Sequence, residues 1–173
     1  MTLDQIMLGI GVVSLGLLVI TQKAIYNPLY ILFLLFHSFR KLSLEEQMSI
    51  ANCVLDYCRK YIGQTKNIPK VEFRKFKKEP LFQGTYGVYL PNNESIVINL
   101  RNVKNNYTLI TTLIHEYIHH SQYSSFHKTD YHRLLNQGVS YVDHPWEKAA
   151  RWHSRTFFYP SFIYVLSALN YFD

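Results

Sequence analysis

The sequence predicts an α+β fold behind an N-terminal membrane segment, and four stretches carry that prediction. An apolar run near the N-terminus is long enough to cross a bilayer. Two β-type runs, 84–90 and 95–100, flank the turn Pro91-Asn92-Asn93-Glu94, and the helix-forming stretch after them holds His115, Glu116 and His119 in the pattern His-Glu-x-x-His. The chain has 173 residues. With its apolar ends set aside, about 120 residues remain, enough for one small soluble domain.

The first element is the run from Leu3 to Ile20, apolar apart from Asp4, Gln5 and Ser14, in a region without Lys or Arg. Eighteen helical residues span about 27 Å, close to the hydrocarbon thickness of a bilayer, so a transmembrane helix is expected over about residues 3–20. A cleaved signal peptide fits less well, because a basic leading region and a small-x-small cleavage site are both missing. The second apolar run contains Asn27-Pro28, which suits a helix cap and first helical position. A helix over about 28–39 covers only about 18 Å and could lie at the interface, re-enter, or complete a hairpin. Lys23, Arg40 and Lys41 follow these runs. Positive charge there predicts that the following domain faces the cytoplasm. Residues 1–41 thus read as an anchor in membrane lipid, and 42–173 as the folded domain.

Ser43-Leu44-Glu45-Glu46 is a capping box that starts a helix running to about Ile62, ending at Gly63. Its expected apolar stripe is Leu44, Met48, Ala51, Leu55, Cys58 and Ile62. Cys53 and Cys58, the two cysteines of the chain, point in different directions on such a helix and are expected as free thiols. A strand is predicted over Val71–Phe76, and the two runs around Pro91–Glu94 predict a hairpin leading into the motif helix.

On that helix, residues four apart lie one above the other, so His115 and His119 present both imidazoles to one point. Neutral imidazoles in that arrangement suit Zn2+, and Glu116, one position round, is placed as a base for a water at the open coordination position. The stripe Thr108, Thr112, His115, His119, Gln122 is polar, while Leu109, Ile110, Leu113, Ile114 and Ile118 cover the other sides. Such a helix lines a cleft. A catalytic zinc also needs a third protein ligand. A His six residues after His119 is excluded by Ser125. His120, His127, His132 and Asp130 are nearby alternatives, although His120 points away from His119. The best candidate is Glu147, in a helix opened by Pro145 with Asp143 or His144 as cap. Ala150 and Ser154 share its face and would allow close approach to the first helix.

The segment Glu147 to Pro160, EKAARWHSRTFFYP, resembles the ImmA/IrrE-type gluzincin pattern at Glu147, Ala150, Phe157, Phe158 and Pro160. Ile96–Asn99 and the HEYIH helix are similar to the strand and helix of that family, and the likeness covers roughly residues 67–160. The resemblance implies a small zincin-like metallopeptidase domain, built from a short antiparallel sheet, the HExxH helix and a ligand helix. It also implies His115, His119 and Glu147 as zinc ligands, Glu116 as the catalytic base, and a protein or peptide substrate. The chain departs from the pattern at Tyr117-Ile118 and at Trp152-His153.

Peptide hydrolysis on such a site calls for an oxyanion donor, with Tyr131, His132, Tyr141 and His153 as candidates. It also calls for acceptors behind the ligand imidazoles, with Asp130 and Asp143 as candidates. The stretch from Tyr123 to Gly138 could form a cleft wall or lid. The uncharged tail from Thr156 to Phe172 is expected to pack on the membrane-proximal face, with a helix starting near Pro160. Two other readings stay open. One is a catalytically silent zincin-like module that recruits a partner to the membrane. The other is a SprT-type DNA-associated protease, which requires a third His in place of Glu147. The net charge of +6 is spread without a nucleic-acid motif, so no nucleic-acid partner is expected.

Overall fold

The structure, a computed structural model, describes residues 41–63, 65, 67–76, 84–125 and 133–169. The expected membrane helices over 3–20 and 28–39 lie outside these residues. Among the described residues, no helix is long and apolar enough to cross a membrane.

Helix α1, Leu44–Tyr61, begins with the expected capping box. The Ser43 N–H donates to Glu46 Oε2 at 2.7 Å, and the Glu46 N–H donates to Ser43 Oγ at 3.2 Å. Its buried face differs from the expected stripe. Leu44 is 65% exposed, whereas Gln47, Ile50, Ala51, Val54, Leu55, Tyr57 and Cys58 are buried. The helix packs on two later helices and on the first strand, so its apolar arc is wider than one heptad seam and rotated away from Leu44. Both cysteines are free, with Cys58 buried.

Three strands follow: β1, Lys70–Arg74; β2, Gly87–Leu90; and β3, Ser95–Asn99. The sheet order is β1-β3-β2. β2 and β3 form the expected antiparallel hairpin, joined by a 3-10 turn, Pro91–Asn93, and by Glu94 at φ 46°. β1, however, runs parallel to β3, pairing Lys70 with Ser95 through Arg74 with Asn99. The expected antiparallel sheet is therefore a mixed one. β1 and β2 lie on opposite sides of β3, and the twenty residues between β1 and β3 are enough for those two strands to align in parallel. β3, central and buried throughout, anchors the domain.

Helix α2, Asn106–Ser125, carries the His-Glu-x-x-His motif. Asn105 Oδ1 caps it by accepting from the Thr108 N–H at 2.9 Å. Helix α3, Pro145–Thr156, is capped by His144, whose Nδ1 accepts from the Trp146 N–H at 3.2 Å, and Pro145 fills the first turn. Helix α4, Phe158–Ala168, follows it directly after Phe157.

One core joins these elements. Leu109, Leu113 and Tyr117 of α2 are buried with Val54 and Leu55 of α1, Ile96 and Ile98 of β3, and Phe158 and Phe162 of α4. The tail helix thus forms part of this core, and Tyr164 of α4 donates to Asp56 of α1 at 2.5 Å. Residues 28–39, against which the tail was expected to pack, lie outside the described residues.

Candidate metal centre

Capping by Asn105 sets the register of α2, and that register sorts its side chains. Leu109, Ile110, Leu113 and Ile114 face the core and are buried, while His115 and His119 turn toward α3. The His144 cap and Pro145 place Glu147 in the first turn of α3, where a carboxylate is favoured by the helix dipole. Glu147 is only 3% exposed, and Ala150 and Ser154, one and two turns on, are buried with it. Small side chains at those positions let α3 approach α2 closely.

The structure brings His115, His119 and Glu147 together, each offering a ligand atom within 4.8 Å of the others. His115 Nε2 and His119 Nε2 are 3.1 Å apart. His119 Nε2 lies 3.1 Å from Glu147 Oε1, and His115 Nε2 lies 3.4 Å from Glu147 Oε2. A tetrahedral ion with bonds of about 2.0–2.1 Å holds its ligand atoms about 3.3–3.4 Å apart. The two imidazole nitrogens are close to that spacing, and the carboxylate reaches each of them through a different oxygen, so the three residues could hold a metal ion.

A hydrogen-bond relay aims one ligand. Gln122 Nε2 donates to the Trp146 carbonyl at 3.2 Å, which turns Gln122 Oε1 toward His119 Nδ1 at 3.0 Å. In the neutral imidazole, Nδ1–H donating there leaves the lone pair on Nε2, facing the cluster; in the protonated imidazole Nε2–H donates to Glu147 instead. Sequence reasoning assigned this acceptor role to Asp130 or Asp143. Asp143 instead pairs with Lys148 at 3.1 Å and accepts from Ser140 at 2.8 Å, while Asp130 lies outside the described residues. Gln122 was visible in the polar stripe, three residues after His119, but its second partner, Trp146, comes from another helix.

The electrostatics follow from this crowding. Burial works against the charged forms of Glu147 and His119 alike. For Glu147 the hydrogen bonds from His115 and His119 outweigh burial and hold its carboxyl well below the usual carboxylate range. For His119 the hydrogen bond to Glu147 and the charges of Glu116 and Glu147 outweigh it, so the imidazole pKa rises. Glu116 is different: burial dominates and raises its pKa, although the nearby imidazoles and the Tyr89 N–H pull the other way. Its Oε2 accepts from that N–H, on edge strand β2, at 2.9 Å.

The remaining candidates separate clearly. His120 is buried on another flank of α2, with Nδ1 3.0 Å from Tyr89 Oη and Nε2 2.9 Å from the Asn67 carbonyl. His144 is a helix cap. His153 Nδ1 bonds the Ala149 carbonyl at 2.8 Å, and its ring stacks on Phe157. Tyr141 hydrogen-bonds Glu147 from a short 3-10 turn, Tyr141–Asp143, and is 56% exposed. It therefore stands at the rim of the cluster. Tyr117 is a core residue whose hydroxyl donates to the Gly63 carbonyl at 2.6 Å. His127, Tyr131 and His132 lie outside the described residues, as does the middle of the expected lid, residues 126–132.

Comparison with known protein families, curated proteins and solved structures finds no match.

Proposed function

We propose that this chain is a membrane-anchored zinc metallopeptidase of the gluzincin kind, with its zincin-like domain on the cytoplasmic side. His115, His119 and Glu147 hold the zinc in this reading. The observation that supports it is the convergence of two imidazole nitrogens and a carboxylate within reach of one ion, with Glu116 on the adjoining flank of α2. Bound there, zinc would lower the pKa of a water and polarise a scissile carbonyl.

The chain's own residues then divide the work. Glu116, buried and with a raised pKa, takes the proton of the attacking water and passes it to the leaving amine. Tyr141, at the rim, donates to the oxygen on which negative charge develops. An extended peptide laid along the free edge of β2 passes beside Glu116, because the Tyr89 N–H that holds Glu116 belongs to that strand.

The test uses the full chain in detergent, loaded with zinc and offered a mixture of quenched fluorescent peptides. Wild type, Glu116→Gln and Tyr141→Phe should all bind zinc. Hydrolysis should fall about 10²–10⁴-fold in Glu116→Gln and about 10²-fold in Tyr141→Phe. Zinc binding without hydrolysis, and a Glu116→Gln variant with full function in cells, would establish the silent-module reading instead.

A further inference from the structure

The placement of Glu116 depends on how closely α2 sits on β2, and the tightest point of that contact is at Gly87. Gly87 and Tyr89 lie on the face of the sheet that meets α2, across the strand pair from Ile98 and Ile96. Thr112, Glu116 and His120, four residues apart, form the stripe of α2 that meets them. A Cβ on Gly87 would lie 2.6 Å from Thr112 Cγ2, 3.3 Å from the Val97 carbonyl oxygen and 3.4 Å from Glu116 Cγ. At the other end of the contact, Tyr89 Oη reaches His120 Nδ1 at 3.0 Å.

The glycine is required for space rather than for backbone conformation. Among the described glycines, positive φ occurs at Gly84 and Gly138, not at Gly87. Nor can the neighbouring methyl easily swing away. Thr112 Oγ1 donates to the Thr108 carbonyl at 2.6 Å, and turning the side chain to move Cγ2 would sacrifice that bond. An added methyl at residue 87 therefore meets a locked methyl. Carbon atoms settle at about 3.5–4.0 Å, so α2 must back away from β2 by about 1 Å. The Glu116 Oε2 to Tyr89 N separation of 2.9 Å would then exceed hydrogen-bonding range. His115, His119 and Glu147 would keep their mutual geometry, since all three are carried by α2 and α3.

We infer that Gly87 is a positioning residue for Glu116: its missing side chain, matched to the fixed Thr112 methyl, seats α2 on β2 and fixes where the carboxylate sits. The catalytic consequence rests on the reading of Glu116 as the base. The seating itself does not.

The experiment compares wild type, Gly87→Ala, Thr112→Ser and the double variant, as full-length zinc-loaded protein in detergent. Thr112→Ser removes the obstructing methyl and keeps the hydroxyl bonded to Thr108. Three quantities are read: zinc per chain, residue-resolved amide exchange, and peptide hydrolysis. Gly87→Ala should keep its zinc while the Tyr89 amide exchanges about tenfold faster or more. Amides of β3 should stay protected, and hydrolysis should fall about tenfold or more. The double variant should recover Tyr89 protection, and with it hydrolysis, to within about threefold of wild type. Unchanged Tyr89 exchange in Gly87→Ala, or no recovery in the double variant, would overturn the inference. Should Gly87→Ala fail to fold, the double variant decides alone: a folded protein with a protected Tyr89 amide supports the inference, and an unfolded one rejects it. A wild type that hydrolyses nothing defeats the peptidase reading, while the exchange data still decide the role of Gly87.

Discussion

On the flank of α2 that faces α3, His115 and His119 bring two imidazole nitrogens to 3.1 Å of each other, and the two oxygens of Glu147 lie 3.4 Å and 3.1 Å from them. On the flank that faces β2, Thr112, Glu116 and His120 each hold a partner within the fold: the Thr108 carbonyl, the Tyr89 N–H, and Tyr89 Oη with the Asn67 carbonyl. Both flanks are polar and largely buried. The first is complete only with a positive charge at its centre, either a proton or a metal ion. The second is complete already. A convergence of donors that needs a shared proton or ion therefore suits a ligand, whereas a stripe satisfied by the fold itself suits a frame.

The largest effects should come from breaking the first flank. Substituting His115 or His119 with Ala should abolish stoichiometric zinc binding, and Glu147→Ala should do so or leave a weak remnant; metal analysis after gel filtration checks this. Gln122→Ala, which frees the His119 ring without removing a ligand, should weaken zinc binding about 10–100-fold in a competition titration with a chromophoric chelator. Zinc retained at wild-type affinity in Glu147→Ala would return the third-ligand role to a histidine outside the described residues.

A smaller effect separates the proton from the metal as occupant of the first flank. The pKa of His119 is raised above its ordinary 6.5 in the metal-free protein. Its stabilising contribution is present in full below that value and is lost as pH rises through the folded-state pKa. That of Glu147 is lowered from 4.5, so its contribution is present above 4.5 and lost as pH falls through the lower folded value. The metal-free protein should hold both contributions between pH 4.5 and 6.5 and melt at progressively lower temperature as pH rises further. Zinc binding near pH 7 should release about one proton, read by calorimetry in buffers of different ionisation enthalpy. No proton release there would mean that His119 is already neutral.

The smallest effect belongs to the satisfied flank. Tyr89→Phe removes the hydroxyl that reaches His120 and should cost about 1–3 kcal/mol in denaturant unfolding, with zinc affinity unchanged. A change in zinc affinity would show that the two flanks are coupled through α2.

Much of this architecture was legible because it is local. The Ser43–Glu46 capping box, the Pro145 helix start and the hairpin around Pro91–Glu94 are set within a few residues of chain. The helical period alone puts His115 and His119 on one face and Glu116 beside it. The small residues at Ala150 and Ser154 even signalled that Glu147 could come close. What tertiary structure alone decided depends on residues far apart in the chain: the parallel pairing of β1 with β3, the Gln122 bond to Trp146, the Glu116 bond to Tyr89, and the space that Gly87 leaves for Thr112. Leu44 belongs to the apolar period yet is exposed, because a period names a face but not the element that covers it, and among the described residues none covers Leu44. A sequence period records how one element presents its side chains. Which partner meets them, and at what distance, is settled only when several elements pack at once and each polar group finds the donor or acceptor left within reach.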